Sequence, residues 1–128
     1  MRRKALNTLK KRAEFQKVRG GARWSTASFA IEAKVRLPGA TVREPLQTNG
    51  PRFGLTITKK VGNAVERNRI RRRLKSILRT AAERHARADM DYVIIARRAA
   101  LDCDFAVLEA DVVTALQRVA SPKTANRR

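Results

Sequence analysis

A chain of 128 residues can bury one hydrophobic core and gives no sign of a second, so a single domain spanning 1–128 is expected. Thirty Lys and Arg against 11 Asp and Glu leave a formal net charge of +19, a self-repelling balance that points to a polyanionic partner, nucleic acid first. The lone Cys103 excludes an internal disulfide or a cysteine metal cluster, and no apolar run is long enough for a membrane span or a signal peptide, so a soluble cytoplasmic protein without a membrane partner is expected.

The charge is uneven. Residues 1–79 hold 22 basic and 4 acidic side chains, whereas residues 80–128 hold 8 and 7, so the partner is expected to meet the first two-thirds of the chain. Residues 1–11, MRRKALNTLKK, are basic and weakly patterned and read as an arm, with 1–8 outside any element. The spacing of Leu9, Ala13, Phe15 and Val18 predicts a short helix over about Arg12 to Arg19, ended by Gly20-Gly21. Phe29, Ile31, Ala33 and Val35 alternate with polar residues and predict one strand between Trp24 and Arg36. Leu37 to Pro51 contains three prolines and two glycines and reads as a long surface loop. Phe53, Leu55 and Ile57 then alternate against Gly54, Thr56 and Thr58 in a second strand.

After Lys59-Lys60-Val61-Gly62, Asn63 is placed to cap a helix and Glu66, three residues on, to reach back to it. That helix is expected to run to about Arg87. At 100° per residue, Ile70, Leu74, Ile77, Leu78 and Ala81 form one apolar stripe that must face a sheet. Asn68, Arg72, Lys75 and Arg79 fall opposite, with Arg69 beside them and Arg67, Arg71 and Arg73 on the flanks. No acidic residue follows Glu66 until Glu83, whereas a merely solvated charged face would intersperse Glu to relieve the repulsion. The residues therefore favour a polyanion-binding helix whose arginine forks suit phosphates and whose Asn68 amide can both donate and accept, although supporting the cap is its plainer role. Asp91 to Arg97, DYVIIAR, predicts a third strand, apolar on both faces and so central. Leu101, Phe105, Leu108, Val112, Leu116 and Val119 recur at helical spacing, with Asp102 or Asp104 as cap and 120–128 as a loose tail.

Three strands and three helices in the order αββαβα imply an α+β domain with helices packed on a small mixed sheet. A helix joining parallel strands would by the general rule make a right-handed crossover. A protein nuclease needs clustered carboxylates or an acid and a base. The single His85, and the Asp89/Asp91 and Asp102/Asp104 pairs at expected turns and caps, supply neither, so no catalytic residue and no metal ligand is expected in this chain.

Arg52 to Lys75, RFGLTITKKVGNAVERNRIRRRLK, resembles the signature of the ribonuclease P protein family: a strand, Lys-Lys, a Gly-Asn-Ala turn and an Arg-Asn-Arg helix. LKKRAEFQKVRGG, Leu9 to Gly21, and DYVIIARRAA, Asp91 to Ala100, resemble the family's first helix and last strand, so the likeness extends from about Leu6 to Val119. The resemblance implies a left-handed βαβ crossover, against the general rule. It implies that Arg67, Asn68, Arg69, Arg71, Arg72, Arg73 and Lys75 contact a catalytic RNA. A cleft between first helix and sheet is implied to hold the single-stranded 5′ leader of precursor tRNA, with Phe15, Lys17, Arg19, Thr56 and Thr58 as candidates by position. Lys10, Lys11, Arg12, Lys59 and Lys60 are candidates for further phosphate contacts. Arg19 departs from the family, whose members often carry an aromatic ring there, and Phe15 has an ordinary core role as its alternative. The implied activity is tRNA 5′ maturation by a holoenzyme whose RNA subunit performs the cleavage and holds the Mg2+, with no obligate protein partner. A ribosomal or other structural RNA-binding protein, a DNA-binding module and a stand-alone nuclease are the competing readings.

Overall fold

The computed structural model describes residues 7–9, 15–16, 18, 20–35, 51–87 and 90–120. Within them the alternating segments build a mixed sheet from β1 (Asn7–Thr8), β2 (Ala22–Ser25), β3 (Phe29–Val35), β4 (Arg52–Thr56) and β5 (Met90–Ala96), in the order β1-β4-β5-β3-β2. The apolar DYVIIAR run is central, as its two buried faces require. A 3-10 turn (Lys59–Val61) leads into α1 (Ala64–His85), which connects the parallel neighbours β4 and β5, and α2 (Ala99–Asp102) and α3 (Phe105–Ala120) follow. Phe15, Gln16 and Val18 have helical backbone, and Gly20 ends that turn at a φ of 86°, a conformation that glycine adopts without steric cost.

The α+β class holds, but the sheet has two strands that periodicity did not predict. Asn7 and Thr8, expected in a free arm, pair in parallel with Arg52 and Phe53, and Leu9 N donates to Phe53 O at 2.9 Å. Two residues are too few to show a period, and their pairing closes the open edge of β4. The single strand expected between Trp24 and Arg36 is a hairpin. Thr26 Oγ1 accepts from Ser28 N (3.1 Å) and Phe29 N (3.2 Å), folding β2 back so that Trp24 pairs with Ile31. The C-terminal amphipathic run is likewise two helices, broken at Cys103 and Asp104. The Leu37 to Pro51 loop, apart from Pro51, and the tail after Ala120 lie outside the described residues.

The two faces of the sheet bury different things. Phe29, Ile31, Phe53, Tyr92 and Ile94 meet the α1 stripe and the Leu108, Val112 and Leu116 side of α3. Phe53 and Tyr92 stack with centroids 5.0 Å apart, and the buried Tyr92 hydroxyl accepts from Arg87 N at 2.8 Å. Trp24 packs at the edge of this core beneath Arg118, in the packing role expected of it. On the opposite face Val93 and Ile95 meet Leu9, Phe15 and Val18 in a smaller cluster. There Arg52 and Asp91, register partners on β4 and β5, form a forked pair at 2.9 and 2.7 Å. Their side chains are only 14% and 8% exposed, so each charge is satisfied inside the fold.

Candidate nucleic-acid interface

The capping box forms as its residues foretell. Asn63 Oδ1 accepts from Glu66 N at 2.8 Å, and Glu66 Oε1 accepts from Asn63 N at 3.0 Å. Glu66 also takes a fork from Arg98, Nη1 to Oε1 and Nη2 to Oε2 at 2.9 Å each, while Arg98 Nη1 donates to Val61 O at 3.0 Å. The Arg98 fork, aided by the Asn63 amide, lowers the Glu66 pKa to about 2. Arg98 escaped the sequence reading because its partner is 32 residues away and no local pattern joins them. Its effect is to tie the Lys59–Val61 turn and the start of α1 to the end of β5.

From that anchor the stripe Ile70, Leu74, Ile77, Leu78 and Ala81 is buried, as predicted. Asn68, Arg69 and Arg72 are exposed, and Arg67, Arg71, Lys75 and Arg79 are half-buried along the flanks. Arg67 Nε donates to Gly62 O at 3.0 Å, and Arg71 Nη1 to Asn68 Oδ1 at 3.2 Å, which steadies both side chains. Among the described residues no carboxylate forms an ion pair with any cation of α1; Glu66 is engaged by Arg98, Glu32 by Arg23 and Asp91 by Arg52.

Arg73 is engaged differently from its neighbours on α1. Its guanidinium turns onto the protein, donating from Nη1 to Leu101 O at 2.6 Å and from Nη2 to Cys103 O, and it lies 5.9 Å from the centroid of the Phe105 ring. The end of α2 leaves carbonyls without helical partners, and a forked cation satisfies two at once. Phe105, expected in the core by its spacing, is 45% exposed because the break before α3 resets the helical phase.

On the other face of the sheet Phe15 lies directly over Gly54: a β-carbon there would sit 2.6 Å from Phe15 Cζ and closer still to Cε2. The half-buried ring borders Val93 and Ile95, and Thr56, register partner of Ile95, continues that surface. Phe15 is therefore packed on the sheet on one side, with part of the ring left accessible. Thr58 is exposed at the start of the 3-10 turn, and Lys59 and Lys60 are exposed within it. Lys10, Lys11, Arg12, Lys17 and Arg19 lie outside the described residues. His85 faces Gln117, with Nδ1 3.4 Å from Nε2. Among the described residues no three His, Cys, Asp or Glu side chains gather as a metal site, and no helix is long and apolar enough to cross a membrane.

The family model for Ribonuclease P matches residues 3–120. A ribonuclease P protein component from Bartonella quintana is 38% identical over 128 residues, covering 100% of this chain and 91% of the relative. One from Brucella suis is 45% identical over 105 residues, covering 82% and 74%. The structure of the Staphylococcus aureus RNase P protein superposes with a TM-score of 0.68 at 25% identity, over 93% of this chain and 97% of that one. The capped arginine helix, the Lys-Lys turn and the central strand thus sit inside a match that runs nearly end to end, and the chain belongs to the ribonuclease P protein family.

Proposed function

We propose that this protein binds the catalytic RNA of ribonuclease P through α1 and the 5′ leader of precursor tRNA through the Phe15 face of the sheet, assisting removal of that leader. The observation that carries the reading is α1 itself, docked by its apolar stripe and bearing cations that form no ion pair with an acidic side chain among the described residues. Arg67, Asn68, Arg69, Arg71, Arg72 and Lys75 would grip folded RNA, with Arg73 holding the neighbouring turn in place. Phe15 and Thr56 would meet unpaired leader bases, with Thr58, Lys59 and Lys60 at the rim and Lys10, Lys11, Arg12, Lys17 and Arg19 adding charge. The two surfaces lie on opposite faces of one sheet and share β4 and β5, which suits a protein that holds one RNA against another.

Cleavage is assigned to the RNA, which would hold the Mg2+; in support, no three carboxylate, His or Cys side chains gather among the described residues, and Glu66 and Asp91 are engaged by arginines. The chain's cations would screen phosphate repulsion and so lower the Mg2+ requirement. A cytoplasmic location follows from that role. The test is a cleavage assay. The protein alone should leave precursor tRNA intact, and with the cognate catalytic RNA it should release the 5′ leader at low Mg2+. Cleavage without RNA would assign the chemistry to the protein, and binding without stimulation would favour a structural RNA-binding role.

A further inference from the structure

An open depression of about 530 Å3 lies between α1 and the connection from α2 to α3, within the roughly 300–1,000 Å3 typical of sites for small organic groups. Arg69 and Arg72 of α1 line one side, Asp102, Asp104 and Phe105 of the α2–α3 connection the other, and Arg73 lies between them. We propose that this depression takes a single unpaired nucleotide of the RNA bound to α1: its base stacks on Phe105, its phosphate is held by Arg69 and Arg72, and its amino edge donates to the Asp102 and Asp104 carboxylates. The inference rests on α1 being the RNA-binding helix and adds the kind of RNA feature recognised there.

Three observations favour this occupant. A ring 45% exposed beside a row of arginines costs hydration in the free protein and is the arrangement on which bases stack. The Arg73 guanidinium, 5.9 Å from the ring centroid, is also fixed by Leu101 O and Cys103 O, so that part of the lining needs little ordering on binding. Carboxylates in a groove built only for phosphate would repel the ligand, whereas beside a base they accept exocyclic amino protons and disfavour a bare phosphate at that wall. A double-helical segment offers no unstacked base to fill the depression, so the occupant is a bulged, looped or terminal nucleotide.

The test measures binding of the cognate catalytic RNA to the full-length protein across a salt series. Phe105→Leu should weaken binding by roughly 5- to 150-fold, the range for losing one stacked base, without changing the salt slope. Phe105→Tyr, which keeps the ring, should bind as wild type does. Chemical probing of base edges should show one unpaired nucleotide protected by wild type and by Phe105→Tyr but not by Phe105→Leu. Binding of Phe105→Leu within twofold of wild type, or an identical protection pattern, overturns the stacking site while leaving the function of α1 standing. Failure of the wild-type protein to bind the RNA removes both.

Discussion

Replacing Gly54 by alanine tests how the first helical segment seats on the sheet. The new methyl would lie 2.6 Å from Phe15 Cζ and nearer to Cε2, so the ring must retreat by roughly 1 Å to reach ordinary carbon–carbon separation. The retreat lifts Phe15 off Val93 and Ile95 and loosens its packing with Leu9 and Val18. Overpacking of this kind costs about 1–3 kcal/mol, which for a domain of this size lowers Tm by roughly 4–12 °C. A second substitution separates the clash from any intrinsic effect of alanine in a strand. Phe15→Ala removes the ring, so Gly54→Ala made in that background should cost much less than it does alone, a coupling that thermal or urea unfolding of the four proteins measures. The same four proteins report on function: both single variants should weaken binding of precursor tRNA more than of mature tRNA, because only the precursor carries a leader. If Gly54→Ala melts as wild type does and discriminates the two RNAs equally well, the ring does not rest on Gly54 and the leader surface is wrongly placed.

Arg73→Met keeps the apolar stem but leaves Leu101 O and Cys103 O without their charged donor, and a loss of about 2–4 kcal/mol is expected in denaturant unfolding. Arg72→Ala should leave Tm nearly unchanged, weaken catalytic-RNA binding and reduce its salt slope by about 1, read from titrations at several salt concentrations. For Glu66 the folded pKa of about 2 lies below the ordinary 4.5, so its contribution to stability is complete above pH 4.5 and is lost as pH falls towards 2. Glu66→Gln should therefore lower stability at neutral pH and flatten its decline between pH 4.5 and 2, as followed by circular dichroism melts.

Helix α1 was legible from its cap to its stripe because both signals are local: Asn63 and Glu66 stand three residues apart, and the apolar residues repeat within one element. The central place of β5 was legible for the same reason, its run being apolar on both faces. The misses came from contacts that bridge distant segments or reset a phase. Thr26 turns one alternating run into a hairpin through a side-chain bond that a period-two count ignores. The break at Cys103 and Asp104 carries Phe105 out of the core although its spacing continues the pattern of Leu101 and Leu108. Arg73 looked like one more flank arginine until α2, 28 residues on, supplied the carbonyls that engage it.

Where the acids sit explains how a chain of net charge +19 keeps a free cationic helix. Glu32, Asp91 and Glu66 each pair with an arginine outside the α1 row: Arg23 across a strand pair, Arg52 across β4 and β5, Arg98 across the turn into α1. Each pair fastens two separate segments, and none draws a guanidinium of α1 out of solvent. Glu66, at the N-terminal end of α1, also faces the positive pole of the helix dipole, while Arg84 and His85 lie at the negative end, so the helix ends favour folding even as its middle repels itself. None of these pairs relieves the repulsion among Arg69, Arg72 and their neighbours, and on the proposed function a polyanion bound there would gain affinity by relieving it.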